Sequence, residues 1–177
     1  ILNCNLFYTQ QTYSLETNVA DVPNGSYFKD LNGDFNPYIG LWKGTWNDKV
    51  VYIQFKKIVD YVSGTKYYSK DRLYGERKII NSNGIVEIDR ISTFDNNQYH
   101  EFSGLNVKFS NPAQKQLYFA PGICGMTANL DVNFLNAEKT QMSLHLIYRP
   151  GYLDESCPYY NYMMQGNEPP FNFPKDI

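Results

Sequence analysis

The sequence predicts an all-β fold, an eight-stranded antiparallel up-and-down barrel, and three observations carry that prediction. Gly40, Trp42, Gly44 and Trp46 alternate along one short segment, so in a strand all four face the same side, with two indole rings entering one core and glycines leaving room beside them. Aromatic residues make up 16% of the chain, with 16 Tyr and 11 Phe, a bias that suits pleated surfaces better than helical bundles. The connections between apolar segments are short and rich in turn formers, which leaves no room for crossover helices.

In order along the chain, the apolar segment 1–10 reads as the remnant of a secretory signal. A short first strand and a lipid-modified Cys4 are the alternatives. Residues 11–37 read as an irregular approach, with turn signals at Pro23-Asn24-Gly25 and Asn32-Gly33-Asp34. A single helical turn over 34–38 leads into the Gly/Trp strand. The barrel spans 38–150, with strands expected at 41–47, 50–59, 66–80, 85–94, 101–109, 115–120, 128–136 and 141–149.

Alternation is clearest where Val51, Ile53 and Phe55 interleave with Tyr52, Gln54 and Lys56, where Leu130, Val132 and Phe134 interleave with polar residues, and in Met142, Leu144 and Leu146. With Leu73, Leu105, Val107 and Phe109, these are the side chains expected inside. Turns are expected at Asn47-Asp48-Lys49, Asn81-Ser82-Asn83-Gly84, Asp95-Asn96-Asn97-Gln98, Asn111-Pro112-Ala113 and Asn136-Ala137-Glu138-Lys139. Eight sequential strands remove their exposed edges by closing on themselves. A two-sheet sandwich is the alternative. Residues 151–177 form a tail carrying Pro158, Pro169, Pro170 and Pro174.

Setting Cys4 aside with the signal leaves Cys124 and Cys157, an even pair in a chain that reads as exported, so a Cys124–Cys157 disulfide is expected, with two free buried thiols as the alternative. Closing that loop contributes about 3.5 kcal/mol on a chain-entropy argument. A net charge of −2, spread without runs, gives no footprint for nucleic acid. No stretch reaches the roughly 18 apolar residues of a membrane-spanning helix. His100 and His145 lie in different segments without metal-ligand spacing, so no metal and no cofactor are expected. Asp71, Glu87, Asp89, His100 and Glu101 are the acid/base candidates, each more simply read as a solvent-facing barrel residue. With no nucleophile elbow, zinc-helix or phosphate-loop signature, the expectation is a protein that is not an enzyme.

The stretch Asp34-Phe35-Asn36-Pro37-Tyr38-Ile39-Gly40-Leu41-Trp42 resembles the entrance of lipocalins, a short turn followed by Gly-x-Trp on the first strand. Arg149 stands where that family packs an Arg on the Trp face. The resemblance implies that Gly40, Trp42 and Arg149 close the barrel bottom, with a cation–π contact worth about 1–2 kcal/mol. Taken together, Pro23-Asn24-Gly25-Ser26-Tyr27, the Gly/Trp strand, Ile123-Cys124-Gly125, Cys157-Pro158-Tyr159-Tyr160 and the Pro-rich end are similar to an uncharacterised family of bacterial exported lipocalin-like proteins.

A lipocalin-like barrel implies a small hydrophobic or aromatic ligand in its mouth, for which Tyr67, Tyr74, Tyr99 and Tyr118 offer stacking faces and hydroxyls. The alternative is a filled barrel of the cell envelope that engages another protein through loops or tail. In the tail, Tyr159, Tyr160, Tyr162, Phe171 and Phe173 either cover their own domain or meet that partner. Either reading places the protein outside the cytoplasm, secreted, periplasmic or in the envelope.

Overall fold

In the computed structural model, backbone is described for residues 10–108 and 111–177, and side chains for all of these except 107, 108 and 111–113. The reading of residues 1–9, including Cys4, and the inward placement of Val107 and Phe109 therefore fall outside the described residues. The described residues form ten strands: β1 (Thr12–Ser14), β2 (Ser26–Lys29), β3 (Gly40–Trp46), β4 (Lys49–Val62), β5 (Tyr68–Ile80), β6 (Val86–Asp89), β7 (Phe102–Lys108), β8 (Asn111–Phe119), β9 (Thr127–Phe134) and β10 (Met142–Arg149). A short α-helix, α1 (Tyr160–Met164), lies in the tail, and single 3-10 turns occur at Val19–Asp21 and Phe94–Asn96.

The strands form one sheet. β3, β4 and β5 pair antiparallel in sequence order, and β7 to β10 do the same. β5 joins the two halves: one edge pairs with β4 along its whole length, while the other takes β2 at Tyr68–Lys70, β7 at Tyr74 and Gly75, and β6 from Lys78 onward. β1 and β2 add parallel to this edge.

The all-β prediction holds, and the eight expected strands correspond to β3–β10. Their number and closure do not hold. β1 and β2 arise in the segment read as irregular, being three- and four-residue pieces too short to show alternation. The strand expected over 85–94 stops at Asp89, whose Oδ1 accepts the Ser92 amide and turns the chain off the sheet. β8 begins at Asn111, so Asn111-Pro112-Ala113 belongs to a strand rather than to a turn.

The barrel does not close. Among the described residues β3 pairs only with β4, and the outer edge of β10 pairs with the tail instead of with β3. Leu144 exchanges both backbone hydrogen bonds with Ile177 (2.7 and 3.1 Å), and the Leu146 amide donates to the Lys175 carbonyl at 2.7 Å. An open seam is left between β3 and β10.

Local chemistry explains the rest. Asn47 and Asp48 both have positive φ (47° and 60°), which makes the two-residue turn between paired Trp46 and Lys49 the type whose twist matches its strands. Val51, Ile53 and Phe55 on β4 are at most 4% exposed and face Leu73, Ile79, Phe102, Leu117, Phe119, Leu130, Val132 and Leu144 across the core. Gly75 sits in register with Phe55, and a Cβ there would lie 2.6 Å from the Phe55 ring and 3.1 Å from Phe102 Cβ. Neither neighbour has free space to move, so Gly75→Ala is expected to cost about 1–3 kcal/mol, read as a lower urea midpoint with an unchanged slope.

The tail is part of this core. Cys157 is disulfide-bonded to Cys124 across 33 residues. Phe171 and Phe173, 3% and 8% exposed, enter the cluster that contains Phe102 and Phe119.

Candidate functional site

Three places gather chemistry-bearing side chains. The first is the interior end plugged by the tail. Arg77, inward on β5 and 2% exposed, donates from Nε to Glu101 Oε2 at 2.9 Å and from Nη2 to Oε1 at 3.3 Å. Its Nη1 donates to the carbonyls of Phe171 (2.6 Å) and Asn172 (2.9 Å). The guanidinium lies 5.1 Å from the Phe119 ring and 5.9 Å from Phe173. Burial pushes the Glu101 carboxyl above its ordinary value while Arg77 and Arg90 pull it back. A bidentate buried pair whose Nη1 also donates to two tail carbonyls is a network that fastens the plug.

The second lies on the outer face of β5. Glu76 is fully buried beneath residues 90–101 and accepts from Arg90 Nε (2.7 Å) and Nη2 (3.2 Å) and from Asn97 Nδ2 (2.8 Å), with His100 Nδ1 3.1 Å from Oε1. The His100 ring is held between Tyr74 and Phe94, at 4.7 and 4.8 Å. Both carboxylate oxygens of Glu76 are taken within the cluster, so it anchors the crossing segment to the sheet.

The third is the seam. A cavity of about 320 Å³ lies between β3 and β10, lined by Trp42, Gly44, Ile53, Met142, Leu144 and Ile177 among others. Ile177 lies so close to Gly44 that a Cβ there would meet its Cδ1. A second cavity of about 420 Å³ continues along β10 past the tail strand, lined by His145 to Tyr148, 166–169 and Lys175. Both volumes reach the lower range of small-molecule sites. Of the three places, the seam alone presents unfilled space beside apolar side chains. A further cavity of about 290 Å³, beside Arg72 and Gly104, has Lys70, Arg72 and Lys115 offset by Glu16, Asp34 and Asp71, with no net charge to select an ion.

The residues expected to close the barrel are not brought together. Trp42 packs 6.3 Å from Phe134, and its Nε1 donates to the Tyr38 carbonyl at 2.7 Å. Phe134 pairs with Met142 at the start of β10, whereas Arg149, exposed, pairs with Thr127 at the far end. Seven residues of strand put about 23 Å between those positions. Gly40 has φ of 131° and open space around it.

Nor do the four tyrosines share a mouth. Tyr67 and Tyr99 are 44% and 76% exposed. Tyr74 donates to Asp60 Oδ2 at 3.0 Å on the outer face, and Tyr118 alternates with buried Leu117 and Phe119 and so also points outward. None of them lines the cavities above.

The reading of all the acid/base candidates as solvent-facing needs correction. Glu101 is 4% exposed and salt-bridged. Asp71 is 2% exposed and accepts from Tyr27 Oη (2.5 Å) and the Asp30 amide (2.9 Å). Burial first and Asp71 second push the Tyr27 hydroxyl up to about 12, so it stays a donor. His100, 14% exposed, is sandwiched as described. Glu87 and Asp89 make surface pairs with Lys49 and Lys78.

Sequence reasoning passed over Glu76 and Arg77. Their signal is a run of three charges in mid-strand, Glu76, Arg77 and Lys78 between Gly75 and Ile79, where each face of the strand must supply its own counter-charge.

Among the described residues, no three His, Cys, Asp or Glu side chains gather as a metal site, and no helix is long and apolar enough to cross a membrane. No curated protein and no solved structure matches the chain. One family profile matches residues 1–155, and the chain belongs to that family of unknown function, DUF6705.

Proposed function

We propose that this chain is an exported, non-enzymatic β-scaffold of the cell envelope that binds another protein through its surface. The observation that carries this reading is the plugged interior: Phe171 and Phe173 of the chain's own tail occupy the space a carrier would keep for its ligand, and Arg77 fastens them there. The Cys124–Cys157 bond is compatible with an oxidising compartment and holds the tail in place.

A second reading is favoured by the seam cavity, which could seat a small apolar or aromatic molecule against Trp42 and Leu144. The two separate by native mass spectrometry of protein purified from its source, combined with chemical cross-linking in the envelope fraction. A clean apoprotein with a reproducible cross-linked partner is the expected result. A stoichiometric small molecule, and no partner, would overturn the scaffold reading in favour of the ligand.

A further inference from the structure

Among the described residues, the outer edge of β10 is served by very little. Residues facing that edge are Met142, Leu144, Leu146 and Tyr148, and the tail satisfies both backbone groups of Leu144 and only the amide of Leu146. The two cavities flank this short pairing along the same strand. Across the seam, β3 has no second strand partner among the described residues, so its edge also presents unpaired amides and carbonyls.

The tail itself shows what fits. Ile177 points inward over Gly44, and Asp176 on the opposite face meets His145, with Nδ1 2.5 Å from the carboxylate. The slot therefore accepts an extended backbone with an aliphatic side chain inward and an acidic one outward, and Lys43 on the facing rim supplies a positive charge.

We propose that the outer edge of β10 is an acceptor for an extended segment of a partner protein, aliphatic on its inward face and acidic opposite His145, with residues 175–177 as its placeholder. This rests on the scaffold reading and names its contact surface. A seven- or eight-residue strand would pair along the full length of β10, where the tail pairs with two residues, and would reach towards the unpaired edge of β3. The exchange is favourable because the partner adds hydrogen bonds and fills both cavities, while the tail remains tethered through Phe171, Phe173 and the disulfide.

The probe is an acetylated heptapeptide, Val-Thr-Val-Asp-Ile-Thr-Val, titrated into isotope-labelled full-length protein. Ile177→Pro removes the amide that donates to Leu144, and Ile177→Gly empties the slot over Gly44 by a different route, so one variant can stand in for the other if folding suffers. Either variant is expected to bind the peptide about tenfold more tightly than the unaltered chain. Amide shifts should concentrate at Met142, Leu144 and Leu146. Replacing the peptide's Asp with Lys should weaken binding about threefold, and His145→Ala should abolish that difference. In the unaltered chain, the Leu144 and Leu146 amides should exchange about 100-fold faster than those in the middle of β4.

Equal binding to both chains, no binding to any, or tail amides protected to the global limit would overturn the proposal. So would an apolar dye filling the seam without disturbing 175–177, or variants that dimerise by swapping tails. If a cross-linked partner persists while the peptide fails, the scaffold reading stands and its contact lies elsewhere.

Discussion

Replacing Arg77 with Met is expected to destabilise the protein by about 4 kcal/mol at neutral pH, with part of the loss recovered on acidification. Arg77 and Glu101 are 2% and 4% exposed, and removing Arg77 leaves the Glu101 charge buried with only Arg90, 3.8 Å away, to offset it, where loss of a buried partner costs about 3–5 kcal/mol. Two tail carbonyls, those of Phe171 and Asn172, lose their donor in the same step.

The pH dependence follows from Glu101. Its carboxyl is pushed up by burial, so the folded state holds the proton more tightly than the unfolded chain does. Stability from such a group is fully present below the ordinary glutamate value and is lost as pH rises through the folded value. In the native protein Arg77 opposes the rise and keeps that window narrow. Without Arg77 the folded value climbs further, and the window widens towards neutrality. Urea unfolding at about pH 5 and about pH 8 should show the deficit of Arg77→Met smaller at the lower pH. Adding Glu101→Gln should recover part of the loss at the higher pH. A deficit that is the same at both pH values would mean that the pair is not an electrostatic unit.

The strands were legible because one-sided burial writes itself into period two: Val51, Ile53 and Phe55, or Leu130 and Val132, could hardly have been placed otherwise. The disulfide was legible from cysteine arithmetic, Cys124 and Cys157 being the pair left once Cys4 is set aside. Closure was not, since whether β10 meets β3 depends on which backbone reaches its edge first, and residues 175–177 carry no alternation that announces a strand. Gly44 illustrates the difficulty. Its place in the Gly/Trp alternation suggested room for an indole, yet the atom it admits belongs to Ile177, more than a hundred residues away. The tyrosines misled for a related reason. Tyr74 and Tyr118 have the residue type of a binding mouth, but strand parity turns both outward. Glu101 and Asp71 looked solvent-facing because their counterparts, Arg77 and Tyr27, lie 24 and 44 residues away in the chain.

Phe171→Ala should cost about 3–5 kcal/mol, as much as truncating an aromatic in the centre of an ordinary core. Residue 171 lies outside the family-matched span 1–155, in a proline-rich stretch whose composition suggests a surface cover. Its surroundings say otherwise: the ring is 3% exposed, stands edge-on to Phe119 at 5.5 Å and to Tyr148 at 5.9 Å, and its carbonyl receives Arg77. Truncation would open a void between β8 and β10 that neither strand can close without breaking its ladder to β9. The loss should appear as a reduced urea midpoint at constant slope, and exchange at the Leu144 and Leu146 amides should accelerate with it, because the same segment carries the strand that pairs with them. A cost below about 1 kcal/mol, the range of exposed positions, would make the tail a cover after all and remove the reason for calling the interior filled.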